Sequence, residues 1–170
     1  MQQWFGFYSV IGGAAVTLLG LLFVAVSINA AAVLGEAHGN SRRLAEQAFQ
    51  NYLAVMLVSL LAIFPTLAIA ELGLATLAVT ALWSVWVLIR LYLALTRPYA
   101  RGARLQSLRR QFSSLVGFGM LIVAALRMAF SWGDSRNLFA AATIVLLSSA
   151  TAVSWELLLG IAKDSASGAA

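Results

Sequence analysis

With 170 residues the chain is long enough for one compact domain, but 62% of them are hydrophobic and only 10% are charged. That leaves too few charges to solvate the outside of a soluble fold, where about a quarter of residues are charged, and makes lipid the expected solvent for much of the surface. The net charge of +5 lies in clusters between apolar runs, without a basic helix, an aromatic platform or a nucleic-acid motif, so nucleic acid is excluded as a partner; the lack of cysteine and the single histidine, His38, exclude disulfides, thiolate sites and a multi-histidine metal site in one chain.

The first apolar run covers residues 5–34, interrupted only by Ser9, Thr17, Ser27 and Asn29. It is too long for the core of a cleavable leader, and Met1-Gln2-Gln3-Trp4 lacks a basic residue, so a permanent span is expected. Gly6, Gly13, Gly20 and Ser27 recur every seven residues, with Thr17 four after Gly13, which draws a small-residue stripe along one face. Small residues let helix backbones approach closely in lipid. The stripe reads either as packing inside one subunit or as a subunit interface.

Residues 36–51 are polar, and His38 beside Glu36 reads as an ordinary loop residue. Asn40 or Ser41 can cap a helix that starts before the bilayer and enters the second run, residues 52–70. Pro65 is expected to kink that run, freeing a carbonyl near Leu61 that Thr66 could bond. A break is expected at Glu71, Leu72 and Gly73, followed by the third run, residues 74–95, with Arg90 near its end.

Residues 97–111 are the most basic segment. Leu105, Leu108 and Phe112 fall at i, i+3 and i+7, surrounded by Arg101, Arg104, Arg109 and Arg110. A short helix lying in the cytoplasmic interface is expected, with these arginines and Arg97 on anionic headgroups. The fourth run, residues 112–132, contains Arg127 and the small residues Ser113, Gly117 and Ala124. A tight polar turn at 133–137, with Asp134 and Arg136, precedes the fifth run, residues 138–162. There Ala142, Ser149 and Glu156 form a stripe flanked by Val145 and Ala152. The tail, residues 165–170, is expected to be disordered.

Arg42, Arg43, the 97–111 cluster and Lys163 fall on one side if five runs span, whereas the N-terminus and second loop carry no Lys or Arg. The positive-inside rule then gives an all-α integral membrane bundle of five transmembrane helices, N-terminus outside and C-terminus inside, multi-pass in a bacterial inner membrane. Residues 1–164 would form a single domain. Trp4, Phe5, Tyr8 and Trp132 would mark the outer interface, and Tyr52, Tyr92, Tyr99 and Trp155 the inner one.

Ionisable groups at membrane depth are functional candidates. Ser27, Asn29, Arg90 and Glu156 could gather as an inner-leaflet polar cluster, or Arg90 could snorkel to headgroups while Glu156 faces the cytosol. Glu71 and Arg127 could pair at the outer side, or each reach headgroups. No phosphate loop, carboxylate pair or nucleophile–base set points to an enzyme, and no cofactor or metal is implied.

Residues 7–29 (FYSVIGGAAVTLLGLLFVAVSIN), with Arg43-Leu44-Ala45-Glu46-Gln47 leading to Ile63-Phe64-Pro65, resemble a group of small bacterial membrane proteins of undefined activity. Some of these carry a label as modulators of a membrane-anchored AAA protease. The resemblance covers about half the chain and implies no functional residues. Two functions follow as expectations: a homo-oligomeric channel for ions or small solutes, and an accessory subunit that binds another membrane protein.

Overall fold

The computed structural model describes residues 2–30, 33, 39–64, 68–96, 101–130, 132 and 135–167. They form five helices: α1 (Gln2–Ile28), α2 (Gly39–Ile63), α3 (Ile69–Thr96), α4 (Arg101–Ala129) and α5 (Arg136–Ser167). No strand occurs among the described residues. Within the described residues, the segments Trp4–Ile28, Ser41–Ile63 and Arg136–Ala162 are long and apolar enough to cross a membrane, and the apolar stretches Ile69–Ala81 and Ser114–Ala129 are shorter. A helix suits that solvent because it satisfies its own backbone polar groups.

The helix ends have local causes. The helix α2 is described from Gly39, before the apolar run, so Asn40 and Ser41, expected as caps, lie within its first turn instead. It stops at Ile63, earlier than the expected kink, because a residue preceding proline disfavours the helical conformation. The Phe64 N–H donates to the Leu61 carbonyl at 3.2 Å, tightening the last turn, while Pro65 and Thr66 lie outside the described residues. The break therefore falls before Glu71, Leu72 and Gly73, which belong to the first turns of α3. There the Ala68 N–H donates to Glu71 Oε2 at 2.9 Å, the reach-back half of a capping box.

The segment expected as a separate interfacial helix is the first part of α4, continuous from Arg101 into the fourth run. At its other end, the Trp132 N–H donates to the Arg127 carbonyl at 2.9 Å, a six-to-one bond of the Schellman type. The Ser135 carbonyl then accepts the Phe139 N–H at 2.9 Å, which places Ser135 as the N-cap of α5.

Three helices form the centre. Buried positions recur at spacings of three and four on α2 (Leu44, Ala48, Asn51, Val55, Val58), α4 (Ser114, Phe118, Leu121, Ala125, Met128) and α5 (Phe139, Ala142, Leu146, Ser149, Val153). That is the spacing by which one face of a helix is turned to its neighbours. The helix α1 lies along α2 and touches α5 lightly, and α3 lies along α4 and touches α2 lightly. Towards the α4–α5 turn the core is aromatic and aliphatic, with Tyr8 edge-on to Phe139 at 5.7 Å. A second cluster around Leu22, Leu44, Val153 and Ile161 fills the opposite end.

Glycines set the closest approaches. A Cβ at Gly73 would lie 2.5 Å from the Ala129 nitrogen and 2.8 Å from the Ala125 carbonyl oxygen, so α3 can seat on α4 only with hydrogen at this position. A Cβ at Gly117 would meet the Leu146 side chain at 2.7 Å, and one at Gly12 would meet Ser59 Cβ at 2.9 Å.

Candidate functional site: a buried amide and hydroxyl network

Gln47 and Asn51 lie one turn apart on α2, on the face turned to α4 and α5. Ser114 of α4 and Ser149 of α5 occupy the same kind of inward position, so the inward stripes bring all four together. Asn51 Nδ2 donates to Ser114 Oγ at 2.8 Å and Gln47 Nε2 donates to the same oxygen at 3.1 Å. Ser114 and Ser149 stand 3.2 Å apart, and Asn51 Nδ2 also reaches Ser149 Oγ at 3.5 Å. Asn51, Ser114 and Ser149 are buried, with exposures of 2%, 5% and 6%.

The hydroxyl orientations follow from counting. A serine oxygen accepts two hydrogen bonds, and Ser114 Oγ takes both from amides. Its own proton is then directed to Ser149 Oγ. The order is amide to Ser114 to Ser149.

A second chain lies beside the first. The Thr151 hydroxyl donates to the Leu147 carbonyl at 2.9 Å and is 3.3 Å from the Tyr52 hydroxyl, and Ser154 Oγ donates to Tyr52 at 3.4 Å. With its proton committed, Thr151 accepts from Tyr52.

Helical rise gives the depth. Asn51 is 12 residues from the end of α2 at Ile63, Ser114 is 15 from the end of α4 at Ala129, and Ser149 is 13 from the start of α5 at Arg136. At about 1.5 Å per residue these are about 18, 22 and 20 Å, so the three groups share one level inside the bundle. Hydrogen bonds there hold α2, α4 and α5 in one register, since a slip of either neighbour would strand buried donors. Asn51, Ser114 and Ser149 thereby tie the three central helices together.

The site residues singled out from sequence are not members of this network. Asn29 Nδ2 donates to its own helix at the Ala25 carbonyl, 2.9 Å away, while Ser27 and Glu156 are exposed on α1 and α5. Arg90 belongs to α3, its side chain outside the described residues, and α3 packs on α4 and not principally on α5. Glu71 caps the start of α3, and Arg127 Nη2 donates to the Trp132 carbonyl at 3.2 Å, so both bonds run to neighbouring backbone. Arg101, Arg104, Arg109 and Arg110 lie on the first part of α4 with undescribed side chains, and Arg97 and His38 lie outside the described residues.

On α1 the small-residue stripe faces outward. A Cβ built at Gly6, Gly13 or Gly20 would have nothing within 4 Å. Thr17 is exposed on the same face, its hydroxyl donating to the Gly13 carbonyl at 3.0 Å, and Ser9 and Ser27 continue the line. On α4 and α5 the corresponding Gly117, Ala124, Ala142 and Ser149 face inward, whereas Ala152 and Glu156 are exposed. Packing within the subunit accounts for Gly117, Ala124, Ala142 and Ser149, and leaves the α1 stripe open.

No family model, curated protein or solved structure matches the chain, and nothing in these comparisons identifies it as a modulator of a protease.

Proposed function

We propose that the protein is a five-span protein of the bacterial inner membrane, N-terminus outside and C-terminus in the cytoplasm, which works as a homo-oligomer joined along α1, with ions or small solutes passing between copies. The observation that carries this reading is the open face of α1. Only 11% of its apolar window is buried, against 39% for the window in α2 and 33% for that in α5, so α1 is the least enclosed of the three. Along its outer face run Gly6, Ser9, Gly13, Thr17, Gly20 and Ser27, a small-residue stripe set among exposed bulky side chains such as Val10, Val16, Leu21 and Phe23. A groove of hydrogens and small hydroxyls suits close approach of a second helix. Tyr52, Phe139, Leu121 and Leu146 are fully buried in the centre of a single chain, so space between copies is the better place for a path.

The chain contains no cysteine, which allows single-site cross-linking. Ser9→Cys and Thr17→Cys should give disulfide-linked dimers in membranes, whereas Leu21→Cys and Phe23→Cys, exposed to either side of the stripe, should not. Equal cross-linking at all four positions, or at none, overturns the interface. A thiol-reactive cation should then reduce ion flux through vesicles carrying Thr17→Cys. Stripe-specific cross-linking without flux would replace conduction by the accessory-subunit reading.

A further inference from the structure

We infer that the α4–α5 turn holds a phospholipid of the adjacent leaflet, with Arg127 on its phosphodiester. An open groove of about 400 Å³ is lined by Val123, Leu126, Arg127 and Trp132. Val123, Leu126 and Arg127 are spaced i, i+3, i+4 on α4, so they share one face near its end. The six-to-one bond of Trp132 brings the chain back beside that face, where the Trp132 carbonyl accepts from Arg127 Nη2 at 3.2 Å. Trp132 stacks on Phe130 with ring centroids 5.4 Å apart. The groove is thus apolar on the side that points along the helix, cationic at its end and aromatic at its rim.

This order matches a phospholipid laid along the helix. An acyl chain lies on Val123 and Leu126, the phosphate meets the guanidinium, and the indole sits at headgroup level, where tryptophan is enriched. Charge complementarity commits the site to an anion. Arg127 has five N–H donors, and among the described residues one is used, on a carbonyl, and no described carboxylate pairs with it. A guanidinium at the edge of hydrocarbon needs a counter-charge, and a phosphodiester presents two acceptor oxygens in a fork that it can bridge.

The inference rests on the reading of α4 as a spanning helix, and the test separates the two. Protein extracted from phosphatidylglycerol vesicles is weighed by native mass spectrometry as wild type, Arg127→Gln and Arg127→Lys. Wild type should retain one lipid that Arg127→Gln holds at least about tenfold less well, the fork's two charge-assisted hydrogen bonds being lost, with Arg127→Lys in between. Diacylglycerol, which lacks the phosphate, should not distinguish wild type from Arg127→Gln, and excess inorganic phosphate should not displace the bound lipid. Equal phosphatidylglycerol retention by wild type and Arg127→Gln overturns the site, as does displacement by inorganic phosphate. Release of the wild-type protein from vesicles by alkaline carbonate would instead overturn the membrane reading itself.

Discussion

The Asn51 amide ties α2 to two other helices, through Ser114 on α4 and Ser149 on α5. Interhelical hydrogen bonds in bilayers contribute about 0.6 kcal/mol each on average. Replacing Asn51 by Ala removes two of them and leaves a small cavity, so a loss of about 1–2 kcal/mol is expected in unfolding from mixed micelles. The Ser114→Ala change should be strongly non-additive with it, since both act through the same oxygen, whereas Asn51→Ala and Gly12→Ala should add. Amides and hydroxyls do not ionise between about pH 5 and pH 9, so this contribution should stay constant across that range in equilibrium unfolding. A titrating loss would mean that a charged group supports the network. Asn51 was legible only in part. Its spacing with Leu44, Ala48, Val55 and Val58 marks it as inward once α2 is known to start at Gly39, but the apolar run alone begins one residue later and leaves Asn51 in the loop. Ser114 and Ser149 look like any small residues on apolar helices, since a serine signals a network only when its partners are known.

At the scale of the helix, the glycines divide into two groups that sequence does not separate. The seven-residue repeat of Gly6, Gly13 and Gly20 is the clearer pattern in the sequence, yet those positions are open. Gly12, Gly73 and Gly117 have no such regularity, yet they set the helix contacts. Periodicity reports that residues share a face; it does not report which face the rest of the bundle covers. Gly73→Ala should therefore destabilise the folded protein by about 1–3 kcal/mol, because backbone atoms of α4 cannot step aside as a side chain can. Gly117→Ala should cost less, since its closest neighbours are side-chain atoms of Leu146 and not backbone. Gly20→Leu should leave the fold of the single chain intact and abolish only the contact between copies. Thermal unfolding with a size measurement in detergent checks all three. A Gly20→Leu protein that misfolds would place the stripe inside the subunit, and one that assembles normally would leave it facing lipid. Element boundaries were less legible than element number. Pro65 ends a helix where a kink was expected, and the basic segment continues α4 where a separate surface helix was expected, because helix continuity depends on neighbours beyond the local composition.

For the molecule as a whole, direction in the membrane is a matter of charge. The helix α4 has 29 residues and α5 has 32, which at about 1.5 Å per residue gives about 44 and 48 Å. Both exceed the hydrocarbon thickness of about 30 Å, so in the proposed five-span arrangement each projects into water at one end or tilts. The first part of α4 carries Arg101, Arg104, Arg109 and Arg110, and in the proposed arrangement this arginine-dressed end is the cytoplasmic one, where anionic lipid contributes about 1 kcal/mol per basic residue near the surface. A reporter active only outside the cell should therefore work when fused before Trp4 or inserted in residues 133–137, and fail in residues 97–111 or after Lys163. Changing Arg101, Arg104, Arg109 and Arg110 together to Gln removes the largest part of the charge bias while leaving Arg42 and Arg43 in place. That variant should show mixed orientation, or a lowered retention of anionic lipid with orientation kept by the first loop. A reporter active after Lys163 in the unaltered chain would refute the five-span arrangement, because an even number of crossings would then separate the outside N-terminus from an outside C-terminus.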